Sequence, residues 1–183
     1  MIRLIDFIGS LVGLILLAPL VLTIAIILWM EHRKPLFIQQ RVGQNQRPFT
    51  LVKFRTMSSV ATDLPTHEVA NSLITKSGKF LRRSKLDELP QLWNVLKGEM
   101  SLVGPRPCLP TQLELINARK ERKVYLLKPG ITGPAQVKNI DMSTPLKLAE
   151  EDAKLIGKLN LLSYLKYIVM TLSGSGQGDK VLN

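Results

Sequence analysis

The stretch that decides the fold is "FIGSLVGLILLAPLVLTIAIILWM", residues 7–30, which contains no ionisable side chain. A straight α-helix of this length would reach about 36 Å, which is enough to cross a bilayer core of about 30 Å. The run is too long for a cleavable signal peptide, and "EHRKP" follows it rather than a small-residue cleavage site. We therefore expect this segment to remain in the protein as a membrane helix.

Pro19 lies in the middle of the apolar segment. A proline there removes one backbone donor and clashes with the carbonyl four residues back, so we expect a kink or break near Ala18. Arg3 precedes the segment and Arg33 follows it, and the positive-inside tendency favours both ends at the cytoplasmic face. A re-entrant helix-break-helix hairpin over residues 1–31 would satisfy this tendency. An ordinary kinked span with its N-terminus outside fits the same residues.

The composition indicates one domain beyond this segment and an anionic partner. The 183 residues include 25 Lys and Arg against 14 Asp and Glu, which gives a net charge of +11. Such a balance favours nucleic acid, acidic lipid headgroups or phosphorylated substrates. With Cys108 as the single cysteine and two histidines, the chain lacks an internal disulfide and a plausible zinc-binding set. We interpret Cys108 as a reduced packing residue.

The rest of the sequence predicts a mainly α fold with a small β-hairpin, of the α+β class. The runs "LFIQQ" (36–40) and "FTLVKF" (49–54) are β-prone and are joined by a loop-forming stretch. Helical patterns occupy residues 74–84, 115–127, 146–159 and 160–172. The last of these helices suits either the core or the membrane surface. Residues 58–72 are predicted to form a polar connection, and residues 173–183 a flexible tail.

An acidic pair, Asp87 and Glu88, lies within the basic stretch "RRSKLDELPQLWNVLKGEMSLVGPRP", residues 82–107. Pro90 is tolerated only in the first turn of a helix, which predicts a helix that begins at about Asp87 or Glu88 and ends near Lys97. Alternatively, Ser84 caps a turn that includes Asp87. Both acids would then lie at the positive end of the helix dipole, where a phosphate group is also stabilised.

Two interpretations of this pair are open from the residues alone. Asp87 could be an N-cap and Glu88 a first-turn acid, and both would then contribute only stability. Alternatively, one carboxylate acts as the nucleophile of a phosphoryl transfer while its neighbour holds Mg²⁺. Arg106, held between two prolines, favours the second interpretation, because a guanidinium on stiff backbone is suited to binding phosphate oxygens.

Three motifs behind the proline-containing hairpin resemble the bacterial sugar transferases. They are "KFRTM" (53–57), "KLDELPQLWNVLKGEMSLVGPRP" (85–107) and "KPGITGPAQV" (128–137). More narrowly, the chain is similar to the small monotopic phosphoglycosyl transferases over roughly residues 1–172. Two departures are Ala18 before Pro19, where relatives often carry serine, and Pro134, where an aromatic residue is common.

The resemblance implies an activity and a set of residues. The activity is transfer of a sugar 1-phosphate from a UDP-sugar to polyprenyl (undecaprenyl) phosphate, which releases UMP and initiates glycoconjugate or polysaccharide synthesis. The route is ping-pong, through a covalent aspartyl-phosphosugar intermediate. The implied nucleophile is Asp87, Glu88 is the implied Mg²⁺ ligand, and Arg82 and Arg106 are the implied phosphate-binding residues.

Lys53 and Arg55 are further candidates for binding lipid or substrate phosphate, although charges on a solvated edge strand would explain them equally. The resemblance also implies a monotopic protein of the bacterial inner membrane. Its re-entrant hairpin would cover residues 1–31, and its cytosolic catalytic domain, with amphipathic helices at the phospholipid interface, residues 32–172. No nucleic acid partner is expected. We interpret Asp152, within the "EED" run, as part of an exposed helix face.

Two other functions compete with this one. A non-catalytic, membrane-anchored basic module would explain the charge without any site. A sugar-nucleotide hydrolase would use the same acidic pair with water as the acceptor. No stretch of the sequence specifies which sugar is used.

Overall fold

A computed structural model describes residues 1–57 and 74–176 of the chain, and within them it is mainly helical with small sheets, as predicted. The helices are α1 (Ile2–His32), α2 (Lys76–Ser84), α3 (Gln91–Lys97), α4 (Leu113–Glu121), α5 (Pro134–Val137), α6 (Pro145–Ala153) and α7 (Leu161–Leu172). The strands are β1 (Leu36–Val42), β2 (Pro48–Phe54), β3 (Ser101–Val103) and β4 (Gly130–Thr132). The connection predicted at 58–72 and the tail beyond Gly176 lie outside the described residues.

Helix α1 is long and apolar enough to cross a membrane, and most of its side chains are exposed. The chain stays helical through Pro19, so the break that we expected near Ala18 is absent, and a kink within the continuous helix stays a prediction. In apolar surroundings the backbone groups around a proline have few partners outside the helix, which favours continued helical hydrogen bonding. Close to the proline, Thr23 Oγ1 donates to the Pro19 carbonyl at 2.8 Å. The helix ends at Arg33, which adopts a left-handed conformation with φ 59°.

Both ends of α1 are attached to the same body. In its first turn, Arg3 donates to two carbonyls at the end of α3, at 2.7 and 3.0 Å. One turn later, the buried Asp6 accepts the backbone N–H of Leu102 at 2.8 Å. Near the other end, Leu28 is fully buried and packs in one cluster with Phe54. The first and the last turns of the helix therefore contact the domain that follows it.

The predicted hairpin is confirmed, with longer strands than expected. Strands β1 and β2 pair antiparallel from Leu36 opposite Phe54 to Val42 opposite Pro48. A second sheet was not predicted: β3 and β4 pair in parallel, with Val103 opposite Thr132. This pairing brings the "GPRP" loop, residues 104–107, beside the "KPGITG" segment, residues 128–133.

The parallel pairing depends on a close approach of two glycines. A Cβ atom on Gly130 would lie 2.0 Å from the backbone nitrogen of Gly104, which no side chain allows. Strands of three residues carry little hydrophobic pattern, so sequence periodicity could not predict this contact.

The C-terminal helices pack beside the "GPRP" loop, residues 104–107. Helices α4 and α6 pack around a cluster that includes Cys108 and Leu148, and Cys108 is fully buried, as its interpretation as a packing residue requires. Helix α7 begins with a capping box formed by Asn160 and Ser163. The Tyr164 side chain faces the interior, while the apolar side chains on the outer side of α7 are exposed. They are Leu161, Leu162, Leu165, Val169 and Leu172.

Candidate active site

A pocket of about 360 Å³ opens beside the acidic pair. Six cations and three acids line it among the described residues. They are Lys53, Lys79, Arg82, Arg83, Lys85, Arg106, Asp87, Glu88 and Asp141. The excess of positive charge suits an anionic ligand such as a nucleoside diphosphate.

The acidic pair lies in a 3₁₀ turn rather than at the start of α3. The turn covers Leu86–Glu88, and α3 begins at Gln91, directly after Pro90. Lys85 adopts a left-handed conformation with φ 57°, which ends α2 and redirects the chain, and Pro90 lacks the N–H that a continuous α-helix would need. The predicted helix start at Asp87 or Glu88 is therefore wrong.

This correction bears on the interpretation of Asp87 as an N-cap. No side-chain cap bond is made at the 3₁₀ turn or at the start of α3, both of which belong to the described part of the chain. Asp87 is nevertheless buried, with 7% of its surface exposed. A buried carboxylate that caps nothing needs another explanation, and the pocket beside it supplies one.

The structure brings four of the predicted residues around Asp87. Arg106 Nη1 donates to Glu88 Oε1 at 2.9 Å. Arg82 lines the pocket from α2, where its Nε donates to Thr56 Oγ1 at 2.9 Å. Lys53 lines the pocket from β2.

Arg55 is the exception among the predicted site residues. Its Nε donates to the carbonyl of Lys34 at 3.1 Å, and its guanidinium lies over the ring of Phe37. Arg55 thus ties the end of α1 to the start of β1, and it is not part of the pocket lining.

The loop that carries Arg106 is fixed by its carbonyl groups. Pro105 and Pro107 have no N–H, so the backbone there can be held mainly through acceptors. Five consecutive carbonyls accept hydrogen bonds. Gly104 accepts from Gln136 Nε2 at 3.3 Å, Pro105 from Gly130 N at 2.9 Å, Arg106 from Arg119 Nη1 at 2.8 Å, Pro107 from Arg41 Nη1 at 3.2 Å and Cys108 from Val42 N at 3.0 Å. Donors from strands β1 and β4 and from helices α4 and α5 therefore set the loop.

Burial and charge shift the titration of two residues in the pocket. Burial raises the pKa of Asp87 to about 6, and the negative charge of Glu88 adds to this, while Lys53, Arg82 and Arg106 oppose it. Burial lowers the pKa of Lys53 to about 8, and Arg41 adds to this, while Asp87 opposes it. At neutral pH both groups are mainly charged, and the carboxylate of Asp87 is poorly hydrated.

The acidic pair also has the donors that Mg²⁺ prefers. Mg²⁺ is usually bound by one or two carboxylates and completes its shell with water and substrate phosphates. Asp87 and Glu88 supply such carboxylates at the pocket. No group of three His, Cys, Asp or Glu side chains in the described ranges could enclose a metal by itself. The residues therefore fit a metal ion that is shared with a phosphorylated substrate.

Sequence reasoning missed several residues of the pocket wall. Lys79 and Arg83 lie one turn apart on α2, and this spacing was visible in the basic face of residues 74–84. Gly176, in the predicted tail, also lines the pocket, and the preceding carbonyl of Ser175 accepts from Lys85 Nζ at 2.7 Å. Pro134, buried at the first position of α5, has no aromatic ring and is not among the residues that line the pocket.

The interpretation of Asp152 as an exposed helix residue is wrong. Asp152 is fully buried and accepts from Arg119 Nε at 3.0 Å and from Arg119 Nη2 at 2.6 Å. The signal was present in the sequence: Leu148 and Ala149 precede Asp152 by four and three residues, so all three share one face of α6. That face packs against α4.

Comparison with known proteins adds to this geometry. The profile of a family described as bacterial sugar transferase matches residues 1–177. The "Galactosyl transferase CpsE" of Streptococcus agalactiae serotype III (strain NEM316) is 36% identical over an alignment 188 residues long, which covers 93% of this chain and 41% of the relative. The "Uncharacterized sugar transferase EpsL" of Bacillus subtilis (strain 168) is 34% identical over 171 residues, 93% of this chain and 84% of the relative.

A third relative has a more explicit name. The "UDP-glucose:undecaprenyl-phosphate glucose-1-phosphate transferase" of Xanthomonas campestris pv. campestris is 40% identical over 179 residues, 91% of this chain and 37% of the relative. The chain thus spans less than half the length of two of these three relatives.

Proposed function

The chain belongs to the bacterial sugar transferase family, and we propose that it transfers a sugar 1-phosphate from a UDP-sugar to undecaprenyl phosphate and releases UMP. The names of several relatives describe this type of transfer. The observation that carries the proposal is the buried carboxylate of Asp87 beside Glu88, in a pocket with an excess of cations.

The proposed reaction has two displacements at one phosphorus atom. First, a carboxylate oxygen of Asp87 attacks the phosphorus that bears the sugar. The bond to the bridging oxygen breaks, and UMP leaves with the electron pair. A phosphate oxygen of the polyprenyl acceptor then attacks the same phosphorus and releases the Asp87 carboxylate. The products are UMP and a polyprenyl diphosphate sugar.

The cations of the pocket make the first step feasible. Two unit charges of the same sign repel by about 4 kcal/mol at roughly 4 Å when the effective dielectric constant is near 20. Lys53, Arg82 and Arg106 offset this repulsion around Asp87. Burial removes water from the carboxylate, so ionised Asp87 at neutral pH is a poorly hydrated nucleophile.

We propose Glu88 as the protein ligand of Mg²⁺. When bound, Mg²⁺ would neutralise phosphate oxygens of the donor. Glu88 is held by Arg106 at 2.9 Å, and 14% of its side chain is exposed, so one carboxylate is both oriented by the protein and accessible from the pocket. A Glu88→Gln variant is expected to need more Mg²⁺ for half-maximal UMP release, and an unchanged requirement would contradict this role.

The attachment of α1 supports a re-entrant, monotopic topology. Arg3 and Asp6, at one end of the helix, bond to residues of α3 and β3, and Leu28, near the other end, packs with β2. A single span would place the first turn across the bilayer from these partners. We propose that both ends of α1 lie at the cytoplasmic face of the inner membrane, with the exposed apolar side of α7 against phospholipid.

Cysteine labelling tests this topology. In a Cys108→Ser background, Leu4→Cys and Met30→Cys are each treated with a membrane-impermeant maleimide in inside-out and right-side-out vesicles. We expect both positions to react only in inside-out vesicles, where the cytoplasmic face is accessible. Labelling of the two cysteines from opposite faces would establish a single span.

The function is tested by incubating the protein, in lipid nanodiscs with Mg²⁺, with a panel of UDP-sugars, with and without undecaprenyl phosphate. We expect UMP release and a sugar product that partitions into the organic phase when the acceptor is present. A sugar phosphate found only in water would indicate a hydrolase. No UMP from any donor would leave the non-catalytic basic module as the explanation.

A further inference from the structure

A buried arginine behind the pocket holds the backbone of the loop that carries Arg106. Arg119 Nη1 donates to the Arg106 carbonyl at 2.8 Å, while the Nε and Nη2 atoms of the same guanidinium bind Asp152. The guanidinium of Arg106 itself donates to Glu88. A continuous series of contacts thus runs from Asp152 through Arg119 and Arg106 to the acidic pair.

This pair cannot take part in the reaction by touching the substrate. The side chains of Arg119 and Asp152 are 2% and 0% exposed, and neither lines the pocket. Within the described residues, Asp152 Oδ1 has no hydrogen-bond partner, so the pair is not fully satisfied. A buried ion pair can often be replaced by apolar residues without loss of stability, so stability alone gives little reason to keep it.

The Arg106 carbonyl matters because it belongs to the residue that carries the guanidinium, whereas the other four bonded carbonyls of the loop belong to its neighbours. Arg106 precedes Pro107, which disfavours the helical region for Arg106 and leaves mainly extended backbone. Within that region, the direction of the carbonyl follows the ψ angle of Arg106, and a donor that fixes the carbonyl also fixes the backbone from which the guanidinium extends.

We propose that Arg119, held in place by Asp152, is a positioning residue: it fixes the carbonyl of Arg106 and so aims the Arg106 guanidinium at Glu88 and at the diphosphate of the donor. The inference rests on the proposed function for its effect on turnover. Its effect on anion binding can be measured without turnover.

The first test replaces the pair by apolar residues, as Arg119→Met with Asp152→Leu. We expect the binding of inorganic pyrophosphate, measured by calorimetry without Mg²⁺, to weaken about tenfold, because a charge-assisted hydrogen bond is lost when Arg106 is misdirected. We expect kcat/KM for UMP release to fall by about tenfold to a hundredfold. The KM for the UDP-sugar is expected to rise, whereas a smaller fraction of folded enzyme would lower only the apparent kcat.

Two further variants guard against a folding defect. Asp152→Asn keeps the shape of the side chain and is expected to weaken pyrophosphate binding, but by less than the double variant does. The matched control is Glu151→Gln on the same helix, where a buried carboxylate pairs with Lys138 and Lys154 and not with Arg119. Thermal unfolding of each variant shows whether it is folded. A folded pair variant that binds pyrophosphate as the wild type does would overturn the proposal.

A double-mutant cycle decides whether the pair acts through Arg106. In an Arg106→Ala background, the pair variant should change pyrophosphate binding by no more than about twofold, because the group that it positions is absent. If the pair variant weakens pyrophosphate binding in the Arg106→Ala background as much as it does in the wild type, the pair acts elsewhere, and the proposal is overturned.

The two proposals fail in different ways. If the wild type releases UMP from none of the UDP-sugars, the proposed function fails, while the pyrophosphate cycle still decides the positioning role. If Arg106→Ala itself leaves pyrophosphate binding unchanged, Arg106 is not the anion-binding group, and the positioning role is overturned even in an active enzyme.

Discussion

Arg106 connects two acid–arginine pairs: its guanidinium belongs to one pair, and its carbonyl is held by the arginine of the other. The guanidinium of Arg106 binds Glu88 at 2.9 Å, with side-chain exposures of 25% and 14%. Its carbonyl is held by Arg119, which binds Asp152 at 2.6 Å with exposures of 2% and 0%. The residue types and distances are similar, and the access of solvent differs.

This difference separates a pair that can exchange partners from one that cannot. A half-buried pair at a pocket can open and give its arginine to a substrate phosphate and its carboxylate to a metal ion. A fully buried pair has no partner to exchange with, because opening it would leave two unpaired charges in the interior. Environment, and not residue type, is therefore the basis on which we propose chemistry for one pair and positioning for the other.

The largest expected effect is on the acid at the pocket. Asp87→Asn removes the proposed nucleophile and should lower UMP release by about 1000-fold or more, with or without acceptor. Asp152→Asn keeps the nucleophile and should lower it far less. Single-turnover assays of UMP from a UDP-sugar measure both. Similar losses in the two variants would remove the distinction between the pairs.

Stability should change in opposite directions at the two sites. The pKa of Asp87 is raised from 3.8 to about 6, so its ionisation disfavours the folded state. Relative to its ionised form, protonated Asp87 stabilises the folded state. This contribution is fully present below about pH 4 and is lost as the pH rises through about 6. At pH 7, Asp87→Asn should therefore raise the free energy of unfolding by about 3 kcal/mol.

Asp152→Ala, in contrast, leaves Arg119 buried without its partner and should lower the free energy of unfolding by about 3–5 kcal/mol. Chemical denaturation in detergent at pH 7 measures both variants. A stabilised Asp152→Ala protein or a destabilised Asp87→Asn protein would contradict the assignment of roles.

The pH dependence of activity should be set by Asp87 and Lys53 in the pocket. UMP release should fall about tenfold per pH unit below pH 6, where Asp87 becomes protonated, and should also fall above about pH 8, where Lys53 loses its charge. Lys53→Met should remove the alkaline limb and move the acid limb to higher pH, because Lys53 lowers the pKa of Asp87. Lys53→Arg is the control, since it keeps the charge. An acid limb that is unchanged in Lys53→Met would contradict the coupling.

The smallest expected effect is at Arg55, which lies outside the pocket. Arg55→Ala removes hydrogen bonds to backbone carbonyls near the end of α1 and should change the KM for the UDP-sugar by no more than about twofold. Arg82→Ala serves as the comparison within the pocket. A loss at Arg55 as large as that at Arg82 would return Arg55 to the phosphate-binding set.

The sequence predicted the features that depend on local pattern and residue chemistry. The apolar helix and the hairpin follow from hydropathy and periodicity. The grouping of Lys53, Arg82 and Arg106 with the acidic pair was implied by the resemblance to the bacterial sugar transferases and by its motifs at 53–57 and 85–107, and not by periodicity. The start of α3 was missed, because the left-handed conformation of Lys85 is set by the surrounding fold and is rare for a lysine.

Contacts between distant parts of the chain were also missed. The pairing of β3 with β4 joins two three-residue strands whose partners are about thirty residues apart, and nothing in so short a run specifies a partner. Asp152 was placed at the surface because acids are seldom buried. Its partner Arg119 lies on another helix, and only the packing of α4 on α6 brings them together.

The most direct test of the account is to look for the covalent intermediate. The protein is mixed with Mg²⁺ and a UDP-sugar from which it releases UMP, without acceptor. The mixture is then quenched in acid, digested and analysed by mass spectrometry. We expect one peptide to carry the added mass of a phosphosugar on Asp87, the mass to disappear when undecaprenyl phosphate is added before the quench, and none to form in Asp87→Asn. UMP release without any modified peptide, or with the phosphosugar on another residue, would contradict the central claim that the buried acid of this pocket is the nucleophile.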